Sequence, residues 1–306
     1  MTEARPAISS SGLRAVLSAY GPAPFSWLHP AAHLLFAERL TLRSWTTEAF
    51  GALLLGETSD GALFLPLPPP FFFGSDLTAR SRGLLLENLF SRLSEESGGR
   101  VPPFLENCPL GALPSGSFRI EPSEREYLVV ASSLGDLSGR GGRSLRWEEN
   151  RFRRDHPGAR TRPVTSGDLP GLRELSEAFV RRRQEVARSE VEGLLAADLG
   201  RSFERAIALG KEGFLEGWVL EEPGRILGLQ WYGRSPDGKI LVCFLEARGE
   251  GVSNPGSLMT REVVRTAGAG VRYVNLMGAS GVAGVERAKR QRPHDLVLPL
   301  FRIRPP

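Results

Sequence analysis

The stretch from Phe214 to Ala267 constrains the fold of this chain more than any other segment. Phe214–Leu220, Ile226–Gly233 and Ile240–Glu246 are apolar-rich and of strand length, and Pro223-Gly224 and Pro236-Asp237-Gly238 stand between them. Glycine tolerates the positive φ of a tight turn and proline presets its own φ, so these punctuated runs predict an antiparallel three-strand meander. Pro255-Gly256-Ser257 then opens a segment that runs as a helix to Ala267, stopped by Gly268 and Gly270. Val271–Met277 reads as a strand, Val282–Arg290 as a short helix and Leu296–Ile303 as a closing strand. A meander followed by helix, strand, helix and strand is an α+β pattern with a mixed sheet.

Two helices precede the meander. The first is capped by Gly167 or Asp168, carries Pro170 in its first turn and buries Leu172, Leu175 and Phe179; the second is Ala196–Leu209. The first half of the chain has a poorer version of the same order. It reads as a helix over Leu13–Tyr20, strands over Ala49–Leu55 and Ala62–Leu67 around an Asp60-Gly61 turn, and a helix over Ala79–Glu96. Strands over Phe118–Ile120 and Tyr127–Ala131 follow. Gly135–Ser144 is Gly- and Ser-rich and reads as a loop between units, and Leu145–Asp155 as a basic helix. The expected organisation is two units, 1–143 and 144–306, with no residue-level repeat.

A chain of 306 residues has room for two domains, and 41% hydrophobic with 24% charged residues fits a folded protein. Cys108 and Cys243 make no disulfide framework, which points to a reducing compartment. Gly51–Leu55 is too short to span a bilayer and Leu63–Phe73 is broken by four prolines, so a cytoplasmic protein is expected. The formal net charge of +4 permits an anionic partner without requiring one. His29, His33, His156 and His294 lack metal-ligand spacing, and no metal site is expected.

Several short motifs carry a resemblance. Val271–Gly278 reads Val-Arg-Tyr-Val-Asn-Leu-Met-Gly, and Val282–Lys289 reads Val-Ala-Gly-Val-Glu-Arg-Ala-Lys. With Asn254-Pro255-Gly256-Ser257-Leu258-Met259, Leu137-Ser138-Gly139 and the basic run Glu149–Arg154, they resemble the family that contains the C-terminal, aminoacyl-tRNA-dependent domain of phosphatidylglycerol lysyltransferases. Gly284–Lys289 is also similar to a run near the end of BioF2-like and Fem-like transferases. The likeness spans about Tyr127 to Phe301. It implies an α+β fold of two tandem GNAT-like (acyl-CoA N-acyltransferase-like) domains. It also implies transfer of an aminoacyl group from a charged tRNA, the donor substrate, to an amine or hydroxyl of a small molecule, peptide or lipid headgroup, with no further cofactor. The chain departs from the pattern at Cys243, Glu246, Met277 and Ala279, where the family carries other charges, which argues against a lysine pocket.

In such domains the reacting carbonyl sits where two neighbouring strands splay, here Ile240–Arg248 and Val271–Met277. Backbone amides at Leu245 and Ala247 would stabilise the oxyanion, and Glu246 would accept the proton. Asn275 would orient a substrate, and Lys289 would meet the tRNA 3′ end or a carboxylate. Gln230, Tyr232, Gly256 and Ser257 would line the substrate site. The plain alternatives are a solvated strand-end Glu246, a satisfied buried Asn275 and an exposed helix Lys289. Arg151, Arg154, Arg181, Arg182, Arg287 and Arg290 are candidate tRNA or anion contacts, or solvated helix faces. An acyl-CoA donor is an alternative, carried by the near-miss Gly loop Arg248–Ser253, although Glu250 would repel a diphosphate. A non-catalytic binding protein on the same scaffold is a third reading.

Overall fold

Strand pairing divides the chain differently from its composition. In the computed structural model the chain forms two units, Met1–Glu126 with Leu298–Pro306, and Tyr127–Val297. The described residues are 9–20, 26, 29–35, 41–47, 51–58, 61–73, 77–99, 101–135, 139–253, 255–267, 270–279, 283–291 and 296–306. Phe25, Trp27, Asp60, Leu137, Ser138, Asn254, Gly268, Val282, Arg292 and His294 lie outside them.

The first unit holds helices α1 (Ser10–Ser18) and α2 (Pro30–Leu35), strands β1 (Thr41–Thr47), β2 (Gly51–Glu57) and β3 (Leu63–Leu65), helix α3 (Ala79–Ser97), strand β4 (Phe104–Pro109) and the start of β5 (Arg119–Val130). β1, β2 and β3 pair antiparallel, and β3 pairs parallel to β4 across the α3 crossover. Alternation along β2 puts Leu53 and Leu55 in the α3 core with Leu86, Leu89, Phe90 and Leu93, whereas Leu54 joins Leu13, Val16 and Leu17 of α1. α3 starts on a Thr78 side-chain cap, and ends at Gly98 with φ 70° in a double-bonded left-handed turn. The chain's last strand, β11 (Leu296–Arg304), returns here to pair antiparallel with β4, Phe301 opposite Cys108.

The second unit opens with the end of β5 and contains α4 (Ala131–Gly135), α5 (Gly139–Asp155), β6 (Arg160–Pro163), α6 (Leu169–Glu185), α7 (Glu190–Lys211), β7 (Glu216–Glu222), β8 (Arg225–Arg234), β9 (Ile240–Arg248), α8 (Gly256–Ala267), β10 (Tyr273–Asn275) and α9 (Ala283–Gln291). Its strand order is β5-β10-β9-β8-β7-β6. β6 to β9 pair antiparallel and β10 pairs parallel to β9, as the α8 crossover requires. One sheet face packs Trp218, Leu220, Tyr232, Leu241 and Cys243 against Leu258, Met259 and Val263 of α8. On the other face Trp231 packs on Gly210 of α7, where a Cβ would come within 2.7 Å of the indole.

The expected break between residues 143 and 144 therefore moves. Leu128–Val130 pair with β10 of the second unit, and Leu300–Ile303 pair with β4 of the first. In the Gly-rich segment expected as a loop, Gly135 ends α4 and Gly139 begins α5, with Gly142 buried. The expected strands Phe118–Ile120 and Tyr127–Ala131 merge into one 12-residue strand, β5, from Arg119 to Val130, and Ala131 opens α4. Strands β1, β4 and β6 and helix α2 are additional to the expected elements. The expected strand Val271–Met277 keeps sheet pairing only over Tyr273–Asn275, because Met277 turns the chain with φ 59°.

β6 and α6 are joined by ion pairs. Arg162 grips Asp168 with both Nη atoms at 2.7 Å and donates through Nε to Glu221 at 2.9 Å. Asp168 also accepts from the Thr165 amide at 2.7 Å. The guanidinium holds the carboxyls of both Asp168 and Glu221 below their usual range.

Candidate functional site

The site begins with a bulge. Along β8 and β9 the register pairs Gly228 with Arg248, Gln230 with Glu246 and Trp231 with Leu245, and then Tyr232 with Cys243. Phe244 is the extra residue. A bulge shifts the alternation of side chains by one. Before it, Leu241 and Cys243 face α8; after it Glu246 faces α8, where an unbroken strand would have placed Leu245.

At the same place β9 loses its other neighbour. β10 pairs with β9 from Tyr273 opposite Ile240 to Asn275 opposite Val242, while β9 runs on to Arg248. The edge of Cys243–Arg248 on that side is thus released from β10. A released edge offers backbone N–H groups to a developing oxyanion in a largely buried setting.

Glu246 leans on the start of α8. A Cβ added to Gly256 would stand 2.4 and 2.5 Å from the two carboxylate oxygens, so only glycine leaves them room. Gln230 Nε2 donates to Glu246 Oε2 at 2.8 Å and to the Gly256 carbonyl at 3.1 Å. Tyr232 donates its hydroxyl to Gln230 Oε1 at 2.6 Å, and Thr260 donates to the Gly256 carbonyl at 2.8 Å. Gln230, Tyr232 and Thr260 are buried, and they hold the half-buried carboxylate at the released edge. Ser257 is also buried there, and its hydroxyl has no hydrogen-bond partner among the described residues. Thr260 is absent from the sequence-derived candidates. The available signal was its position four residues after Gly256, one helical turn along the apolar face of α8.

Asn275 and Lys289 have structural tasks. Asn275 is fully buried, and its side-chain oxygen accepts from the Met277 amide at 2.7 Å, an Asx-type turn that ends β10. Lys289 Nζ donates to the carbonyl of Leu276 at 2.5 Å and to that of Gly278. Both residues pin the loop after β10, beside the released edge of β9. For Asn275, then, the satisfied buried amide is the arrangement seen, and Lys289 is turned inward rather than standing free on its helix.

The arginine clusters separate into fixed and open members. Arg182 donates to the Arg248 carbonyl at 2.5 Å, and Arg290 pairs with Glu286 at 2.6 Å. Arg151 pairs with Asp155 at 3.7 Å. Arg154, Arg181, Arg183 and Arg287 are exposed and make no ion pair among the described residues. No cluster of side chains suited to a metal ion is found among those residues.

No family model and no curated protein matches the sequence. Solved structures do match. A conserved protein of unknown function from Bacteroides thetaiotaomicron is 14% identical over 98% of this chain and 98% of its own, with a TM-score of 0.79. L-PGS from Bacillus licheniformis is 14% identical over 99% of this chain and 94% of its own, with a TM-score of 0.63. FemX is 10% identical over 97% and 96%, with a TM-score of 0.60. At these identities the likeness is one of fold. The chain has the α+β fold with a mixed sheet that its motifs implied, and it shares that fold with L-PGS and FemX along nearly its whole length.

Proposed function

We propose that this chain is an aminoacyltransferase, moving an aminoacyl group from a charged tRNA to an amine or hydroxyl of a small molecule, peptide or lipid headgroup. The observation that carries the reading is the seat of Glu246: a carboxylate lies against the first residue of α8, beside a strand edge that β10 has left. Attack by an amine on an ester carbonyl requires a proton acceptor and a stabilised oxyanion. Glu246 takes the proton of the attacking nitrogen or oxygen. The amides around Leu245 and Ala247 receive the oxyanion; as it collapses the ester C–O bond breaks, and Glu246 returns its proton to the departing ribose oxygen while the new amide or ester forms. Gln230, steadied by Tyr232 and Thr260, keeps the carboxylate in place, and Ser257 supplies an unused hydroxyl for the substrate.

The same seat disfavours acyl-CoA. A helix N-terminus holds a diphosphate through its free amides and dipole. At α8 a carboxylate already stands at that position, and a diphosphate would meet like charge. L-PGS and FemX, whose fold the chain shares, support an aminoacyl reading of the site. The reading sets the reaction in the cytoplasm, where charged tRNA is available. No helix among the described residues is long and apolar enough to cross a membrane.

The test is transfer of a labelled amino acid from a panel of charged tRNAs to candidate acceptors, read by mass spectrometry of the products. Transfer from at least one charged tRNA is the expected result. A complete panel without product, or transfer from an acyl-CoA instead, would overturn the proposal.

A further inference from the structure

Helix α5 presents a one-sided cationic face. Gly142, Leu145, Glu149 and Phe152 are buried among its described residues, and Arg261 of α8 donates to Glu149 at 2.8 Å, so that acidic side chain is turned inward and paired. Opposite them Arg143, Arg146, Trp147, Asn150, Arg151 and Arg154 are exposed. Their spacing of three and four residues places them along one stripe, about 16 Å long from Arg143 to Arg154 at 1.5 Å per residue. Among the described residues the carboxylates at the stripe's edge are Asp155, 3.7 Å from Arg151, and the half-buried Glu148. Arg143, Arg146 and Arg154 have no ion pair among the described residues.

Trp147 sits in the middle of this stripe and is 59% exposed. Exposing an indole forgoes the burial that usually stabilises it. The Arg151 guanidinium lies over the ring at 5.7 Å from its centroid. That arrangement covers one side of the indole with a cation and leaves stacking surface open beside free arginines. Cations that track phosphates, interleaved with an aromatic ring that stacks a base, are the means by which proteins hold unpaired nucleic-acid strands. A membrane surface is the poorer fit, since an interfacial helix buries a row of large apolar side chains and this face has only Trp147.

We propose that the Arg143–Arg154 face of α5 is an RNA-docking surface, with Trp147 stacking an unpaired base and Arg143, Arg146 and Arg154 contacting phosphates. It deepens the aminoacyl-tRNA reading and rests on it for the choice of RNA. Its test measures binding rather than transfer, so the two can fail separately.

The probe is fluorescently labelled, deacylated tRNA, titrated with the full chain at several salt concentrations. Trp147→Ala and the triple variant Arg143→Gln/Arg146→Gln/Arg154→Gln are each expected to weaken binding about tenfold or more, with Trp147→Phe retaining most of it. The triple variant should also flatten the salt dependence by about two units of slope, at about 0.7 per lost phosphate contact. These residues are exposed, and circular dichroism and melting temperature of the variants should match the parent. Wild-type binding that both variants leave unchanged would overturn the proposal while leaving the transferase reading intact. So would no tRNA binding, or binding only to phosphatidylglycerol vesicles. tRNA binding lost in both variants, from a protein that transfers no aminoacyl group, would uphold the surface and sink the reaction.

Discussion

Gly256 and Glu246 are fitted to each other: a Cβ on Gly256 would stand 2.4 Å from Oε1 and 2.6 Å from the carboxyl carbon of Glu246. The bare Cα at the first position of α8 is what admits the carboxylate. Gly256→Ala should cost about 1–3 kcal/mol, the usual range for overpacking. Urea unfolding of Gly256→Ala, Glu246→Ala and the double variant tests the cause. Most of the cost of the alanine should vanish once Glu246 is gone, because neighbours in contact are non-additive. Fully additive costs would show that the carboxylate is not what the methyl meets.

Glu246→Gln keeps the shape of the side chain and removes its basicity. In the proposed reaction it should lower kcat by roughly 10²- to 10⁴-fold, the range for general-base catalysis. The pH–rate profile should lose its acidic limb, where the wild-type carboxylate becomes protonated. A variant with the wild-type rate and profile would remove Glu246 from the chemistry.

Arg162, Asp168 and Glu221 make stability depend on pH in the acid range. Both carboxyls are held below their usual values in the folded chain, chiefly by hydrogen bonds from Arg162. The unfolded chain therefore binds more protons as pH falls, and the stabilisation is fully present above about pH 4 and lost below it. Asp168→Asn should destabilise the protein by about 1.5–3 kcal/mol at neutral pH. Denaturant titrations should show that difference shrinking as pH is lowered from 5 toward 2, by the linkage just described.

Lys289 ties the loop after β10 through the carbonyls of Leu276 and Gly278. Lys289→Met keeps the aliphatic stem and drops the ammonium. Hydrogen exchange at Met277 and its neighbours should accelerate, and stability should fall by about 1–3 kcal/mol for carbonyls left without their charged donor. Unchanged protection at Met277 would mean that Asn275 alone holds the turn.

Burial pushes the Cys108 thiol up to about 12, despite the opposing charge of Arg82. A thiol so far above neutral pH presents almost no thiolate, and the side chain is fully buried in the α3 core. Native protein should leave Cys108 unmodified by iodoacetamide over hours, and urea-unfolded protein should react within minutes. Peptide mapping by mass spectrometry distinguishes the two.

The local code of the second half was legible because each signal is short-range. Gly224 and Gly238 take φ values of 78° and 72° at the turns their dipeptides announced, and Gly98 takes 70° at the end of α3. Apolar period and Pro/Gly punctuation located the meander, α8, α9 and the closing strand, while Glu246, Gln230 and Tyr232 came from the resemblance. Three things depended on long-range pairing. Leu300–Ile303 crossed back to β4, and Leu128–Val130 joined β10, so unit boundaries followed hydrogen bonds between strands far apart in sequence. Asn275 and Lys289 read as chemical groups in the sequence, but packing turns both onto the backbone of Leu276–Gly278. The extra residue Phe244 rotated Glu246 toward Gly256. A bulge leaves no mark in an apolar run such as Val242–Leu245, since its residues suit either face of the sheet. The choice of face is made only when β8 pairs with β9 and α8 closes over them.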